Sequence, residues 1–195
     1  MIFDLVRKNR SYRRFHQEKH LSIDLLYDLI ELARLSPSGA NLQPLKYVLS
    51  VDPEWNIKIF NTLSWAGYLV DWPGPEDGER PSAYIVILGD TDIKKNIDCD
   101  HGIAAQSILL GATEKALGGC IIGSINKKEL ASILSINPEY EILLVLALGY
   151  PKEKVILEEI SEDESVFYWR DENLNHHVPK RKLKDLILKS YSKLS

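Results

Sequence analysis

The stretch Ser36-Pro37-Ser38-Gly39-Ala40-Asn41-Leu42-Gln43-Pro44 joins an amphipathic pattern to an apolar run, and packs hydroxyls, a flexible glycine and two amides into one loop. Side-chain amides both donate and accept, so Asn41 and Gln43 suit the edge of a heteroaromatic ring. The same composition also suits a loop that caps a helix and turns into a strand. What surrounds it decides how it is read.

Upstream, Ser22 is a good N-cap, Asp24 lies in the favourable first turn, and Leu25, Leu26, Leu29, Ile30 and Ala33 recur at helical spacing, predicting a helix that ends before Pro37. Downstream, Tyr47–Val51, Tyr84–Leu88 and Ile142–Leu148 are short apolar runs bounded by Gly, Pro or Asp, as buried strands are. Between the last two, Gly102 to Leu117 is apolar around nearly its whole circumference and reads as a central or interface helix. Gly118-Gly119 is expected to stop it, Cys120-Ile121-Ile122 to be extended, and Asn126 with Glu129 to form a capping box for the next helix. The irregular stretch from Trp65 to Pro81, with Trp65, Tyr68 and Trp72 among prolines and glycines, is a candidate substrate lid or, equally, a satellite core. A last amphipathic helix is expected through Leu183, Leu186 and Ile187, with Lys180-Arg181-Lys182 at its start.

The 195 residues carry 24 Lys and Arg against 28 Asp and Glu, and 45% are hydrophobic. That is enough apolar mass for a core, and residues 1–195 are read as one domain. The acidic balance argues against nucleic-acid coating and a polybasic membrane anchor. No apolar run approaches the roughly 20 residues that span a bilayer, and Met1 to Arg7 lacks the order of a secretory signal. A cytoplasmic protein with neither nucleic-acid nor membrane partner is expected. Cys99 and Cys120 make no disulfide framework and are expected to be reduced.

Two basic stretches could hold an organic phosphate. In Asn9-Arg10-Ser11-Tyr12-Arg13-Arg14-Phe15, Arg10 and Ser11 offer charge and a hydroxyl donor, and extended alternation would place Arg13 on the side of Ser11. Lys180-Arg181-Lys182 has the sign to meet them at one phosphate. Taken alone, each is equally a solvated basic stretch.

Together, and in this order, these stretches resemble the nitroreductase family of FMN-dependent oxidoreductases. Arg10-Ser11-Tyr12-Arg13-Arg14-Phe15 is similar to the family's amino-terminal signature, and Ser36 to Pro44 to its Ser-Pro-Ser-x-x-Asn-x-Gln-Pro loop. Asp100-His101-Gly102-Ile103-Ala104-Ala105-Gln106, leading to Leu117-Gly118-Gly119-Cys120-Ile121-Ile122-Gly123, is similar to its central helix and following Gly-rich turn. Leu146 to Pro151 and Pro179-Lys180-Arg181 complete the series. Asn9 departs from the pattern, standing where many members carry another Arg.

The resemblance implies an α+β fold with a mainly antiparallel central sheet flanked by helices, in an intertwined homodimer. Arg10, Ser11 and Arg181, with Lys180, would bind the FMN phosphate, and Arg13 would approach the N1/O2 side of the ring. Pro37, Ser38, Gly39 and Asn41 would come from the partner subunit, and backbone groups of Ile121, Ile122, Gly123 and Ser124 would line the ring near N5. NADH or NADPH would be the electron donor, and a nitroaromatic, quinone or similar small molecule the acceptor, in a ping-pong reaction. The same fold also accommodates reductive dehalogenation, dehydrogenation, flavin degradation or non-catalytic flavin binding. No side-chain acid, base or nucleophile is required, and no triad or GxSxG is present. His176 and His177, being adjacent, suit a structural or surface role better than a shared metal, and no metal site is expected.

Overall fold

The computed structural model describes residues 1–192. They group into two compact units, Met1–Trp65 with Pro73–Lys152, and Ala66–Trp72 with the chain from Glu153 onward.

In the first unit the continuous apolar runs become strands because only a sheet covered on both faces can bury them. Its elements are α1 (Ile2–Lys8), α2 (Ile23–Arg34), β1 (Leu45–Ser50), α3 (Pro53–Phe60), β2 (Ala83–Asp90), α4 (Asp100–Glu114), β3 (Gly118–Ile122), α5 (Lys127–Ile133) and β4 (Tyr140–Gly149). The four strands lie in the order β1-β2-β4-β3, each pairing antiparallel, so the expected α+β class with an antiparallel sheet is observed. β2 is buried along its whole length, and Val86 sits opposite Val48 on one side and Val145 on the other.

α2 begins where Ser22 Oγ accepts from Leu25 N at 3.2 Å, and buries Leu26, Leu29 and Ala33. It packs on α4, where a Cβ on Gly111 would stand 2.2 Å from Leu32 Cδ1; only glycine permits that approach. Ala104, Ala105, Ile108 and Ala112 of α4 join Ile85, Ile87, Leu146 and Leu148 in the core. Each fully buried Leu or Ile there contributes about 1.5–3 kcal/mol.

Two expectations are corrected in this region. α4 begins at Asp100, and it stops at Ala116 rather than at the glycine pair. Ala116 takes the left-handed conformation (φ 59°), Leu117 N donates to Ala112 O at 2.8 Å and Ala116 N to Thr113 O at 3.1 Å, a Schellman end made without glycine. Gly118 and Gly119 are thereby released to open β3. The Asn126 cap is observed, accepting from Glu129 N at 3.3 Å.

The second unit holds β5 (Val155–Ile160), β6 (Trp169–Arg170), β7 (His176–Arg181) and the single helical turn α6 (Leu183–Leu186), with strand order β5-β7-β6. β5 pairs parallel to β7, and β6 antiparallel. The expected closing helix is therefore corrected to one turn, with Ile187 already extended. Leu183, Leu186 and Ile187 are exposed, and a helix this short does not persist without an apolar face to bury. Lys180 and Arg181 correspondingly end a strand; only Lys182 precedes helix.

The Trp65 to Pro81 stretch divides. Trp65 is buried in the first unit, 5.7 Å from the Phe60 ring and close against Gly74. Tyr68 stacks on Phe167 at 4.2 Å, and Trp72 lies under Arg170 at 4.1 Å, both within the second unit.

Candidate functional site

β3 is an edge strand, and the amino-terminal signature lies along it. Ser11 bridges Gly119 in parallel, and Tyr12 N donates to Gly119 O at 3.0 Å. Gly118 makes this approach possible, since a Cβ there would stand 2.4 Å from Tyr12 Cδ2, whereas one on Gly119 would instead meet Leu109 Cδ2 of α4 at 2.5 Å. Farther on, Lys152 N donates to Arg14 O at 2.9 Å and His16 N to Tyr150 O at 2.8 Å. Arg14 is clamped by Glu79 through two hydrogen bonds of 2.5 and 2.7 Å, with Lys152 Nζ also 3.0 Å from that carboxylate. The Arg14 and Lys152 contacts hold the Glu79 carboxyl down at about 2.

Arg10 is half-buried. One of its terminal nitrogens donates to Val6 O, while its Nε is buried with no hydrogen-bond partner. Burial lowers its pKa, a cost that a nearby anion would offset. Arg13 donates to Ser11 O at 3.3 Å. Asn9 is buried and donates to Gln106 Oε1 of α4 at 3.4 Å, so the departure from Arg at this position anchors the segment to the helix.

The Ser36–Pro44 loop is built on another face of α4, against Asp100 and Ser107. Ser36 Oγ donates to Leu32 O at 2.8 Å and lies 2.7 Å from Ser107 Oγ. Ser38 Oγ donates to Asp100 Oδ2 at 2.6 Å, Gly39 N donates to Oδ1 at 3.0 Å, and Gln43 N donates to Ser38 Oγ at 3.0 Å. Asp100 is buried, and the Ser38 hydrogen bond above all lowers its pKa. Ala40, Asn41 and Gln43 all have positive φ (51°, 57° and 53°), a concentration of backbone strain in one exposed loop. Ser38 Oγ and Gly39 N thus serve the loop's own architecture, whereas Pro37 and Asn41 face solvent.

Asp100 and Gln106 are six residues apart, about 9 Å along the axis and about 120° round it. The helix therefore presents the loop and the amino-terminal segment from different sides. Ile121, Gly123 and Ser124 are exposed and Ile122 is buried; a Cβ on Gly123 would meet nothing nearer than Leu144 at 3.9 Å. Among the described residues no strand covers the outer edge of β3 beyond Gly119. Lys180 and Arg181 lie in the second unit, where Arg181 donates to Glu162 O at 2.8 Å.

The nitroreductase family model matches residues 6–67 and 77–150. The chain belongs to the nitroreductase family. Among its solved relatives, a nitroreductase-family protein of Clostridium novyi NT is 23% identical and superposes with a TM-score of 0.66 over 78% of this chain and 86% of that one. An FMN-dependent nitroreductase of Clostridium difficile R20291 is 25% identical, with a TM-score of 0.61 over 79% of this chain and 89% of its own. The iodotyrosine deiodinase of Thermotoga neapolitana is 24% identical over 168 residues, covering 78% of this chain and 90% of that protein.

For this nitroreductase-family chain, sequence reasoning missed the anchoring roles of Asp100 and Glu79. Asp100 carried one legible signal, an acid at the start of a long apolar helix; Glu79 carried none. Among the described residues no group of three or more His, Cys, Asp or Glu is placed to hold a metal, and none of the helices is long and apolar enough to cross a membrane. His176 is fully buried, while His177 lies between Glu158 (2.6 Å) and Asp171 (3.3 Å) under the ring of Trp169.

Proposed function

We propose that this chain is an FMN-dependent oxidoreductase that takes electrons from NADH or NADPH and passes them to a nitroaromatic, quinone or similar electron-poor acceptor, donor and acceptor occupying one site in turn. The observation that carries the reading is the buried, acceptor-less Nε of Arg10 beside Ser11, next to a strand edge left open past Gly119. A cationic donor lacking an anion and a strand edge with no paired strand beyond Gly119 fit a cofactor that is phosphate at one end and a planar hydrogen-bonding ring at the other. Similarity to the FMN-dependent nitroreductase of Clostridium difficile supports the same choice.

When bound, the flavin supplies hydride acceptance and electron donation. Arg10 and Ser11 would hold the phosphate. Arg13 would place a guanidinium at the N1/O2 side. Backbone groups of Ile121 to Ser124 would address the N5 side. Pro37, Ser38, Gly39 and Asn41 would serve the cofactor of the partner subunit in a homodimer. Two features support that arrangement: α4 presents the two motifs from different sides, and α1 buries no residue while exposing Ile2, Phe3 and Val6.

The relation to the Thermotoga deiodinase favours a second reading, reductive removal of halide from a halogenated phenol at the same flavin. One experiment addresses both. The purified protein is loaded with FMN, reduced anaerobically with NADH or NADPH, and offered a nitroaromatic, a quinone and iodotyrosine. Reoxidation by nitroaromatic or quinone is expected; iodide release would select the second reading. Flavin that binds but is reduced by neither nucleotide would mark a binding module, and failure to bind FMN would defeat the proposal.

A further inference from the structure

A cavity of about 340 Å³ opens in the first unit, lined among others by Gln17, Glu18, Val51, Asp77, Arg80 and Ser82, none of which belongs to the site described above. Its chemistry is unbalanced. Arg80 lines it, makes no ion pair among the described residues, and has a buried Nε without a hydrogen-bond partner. Ser82, also lining it, is only 6% exposed, and its hydroxyl has no partner. Two residues on, Tyr84 lies on the same face of the extended chain, and its buried hydroxyl has none either. Buried donors are almost always satisfied, so this set lacks an acceptor.

The neighbouring polar groups do not supply one. Asn56 is engaged with Ser50 Oγ at 2.7 Å and Ser82 O at 2.8 Å. The wall is held in place: Gln17 accepts from Gly78 N and Arg80 N at 2.8 and 3.0 Å and donates to Asp77 at 3.2 Å, while the Arg80 guanidinium lies 4.4 Å from the Phe60 ring centroid. Val51 and Ile57 add apolar surface, and Glu18 and Asp77 place carboxylates on the lining.

We propose that this cavity binds a small organic carboxylate of amino-acid size, its oxygens received by Arg80 and Ser82 and its apolar body by Val51 and Ile57. A guanidinium is the side chain best matched to a planar carboxylate, and the volume lies in the range of small-molecule sites. Glu18 and Asp77 add a preference for a carboxylate that also carries an ammonium, and they disfavour dianions.

The test is calorimetric titration of the full-length protein, with and without FMN, using hydrocinnamate, phenylalanine and phenethylamine, which share one aromatic body and differ in charged ends. Hydrocinnamate and phenylalanine bind saturably in both forms, and Arg80→Met weakens them at least about tenfold. Phenethylamine does not bind. Tighter phenylalanine supports the ammonium preference given to Glu18 and Asp77, whereas tighter hydrocinnamate overturns that preference. Because Arg80→Met also removes the Phe60 contact, amide shifts are recorded on the wild-type protein, where the acids perturb Gly78 and Ser82. The proposal is overturned if neither acid binds by about 10 mM, so that water alone fills the cavity. It is equally overturned if Arg80→Met binds as tightly as wild type, if phenethylamine binds as well as the acids, or if the shifts fall at Ser11 and Gly123.

Discussion

The Ser38 hydroxyl donates to Asp100 Oδ2 across 2.6 Å, and Asp100 in turn holds Gly39 N at 3.0 Å, so one buried carboxylate fixes the fold of the loop that carries Asn41. Asp100→Asn keeps the shape but removes the charge-assisted bonds. It is expected to lower stability by about 1–3 kcal/mol in urea unfolding and to weaken FMN binding while leaving the helical signal intact. The native pKa of Asp100 is depressed, so its contribution is present above the ordinary aspartate range and is lost as pH falls through the native value.

Glu79 clamps Arg14 and meets Lys152, with its carboxyl moved from 4.5 to about 2. Its stabilisation is fully present above pH 4.5 and disappears as pH falls toward about 2. Glu79→Gln should cost about 2 kcal/mol at neutral pH. The stability gap from wild type should narrow steadily in unfolding curves taken from pH 5 to pH 2; a constant gap would show that the ion pair is not its source.

His177 works in the opposite direction. Burial pushes its pKa down, but the hydrogen bonds to Glu158 and Asp171 outweigh this and leave it raised. The stabilisation of the three-stranded sheet is present below the ordinary histidine range and is lost as pH rises through the native value. Proton NMR should find His177 titrating above a reference histidine, and His177→Gln should flatten the local pH dependence.

Gly118→Ala tests the seat of the amino-terminal signature. The added Cβ would sit 2.4 Å from Tyr12 Cδ2 and 2.6 Å from Pro151 Cγ, so the Tyr12 segment must shift. A stability loss of about 1–3 kcal/mol is expected, with FMN affinity falling further than the fold requires, read by fluorescence titration.

The shared site of the proposed homodimer is tested by complementation. One variant carries Arg10→Ala with Ser11→Ala, another Ser38→Ala with Asn41→Ala, and each alone is expected to be inactive. In a co-folded mixture half the dimers are mixed and one site in each is free of lesions, so about a quarter of wild-type activity returns. Dimeric mixtures that regain none would place all four residues at one subunit's own cofactor.

Local physics made much of this legible in advance. Ser22 and Asn126 announce helix starts because a capping side chain satisfies amide groups two or three residues away, and the apolar runs around Val86 and Val145 announce strands because burial on both faces leaves no alternation. The motifs at Arg10, Ser38 and Gly118 were visible as residue types in order. Tertiary structure alone decided what they touch. Ser38 meets Asp100 from 62 positions away and Arg14 meets Glu79 from 65, contacts that leave no mark on either local sequence. The closing helix shrank to one turn because its apolar residues found nothing to cover them, and the unmatched donors of Arg80, Ser82 and Tyr84 emerged only when packing withheld an acceptor from each. Caps and periodicity act within a turn or two of chain, whereas satisfaction of a buried polar group depends on whichever segments the core brings against it.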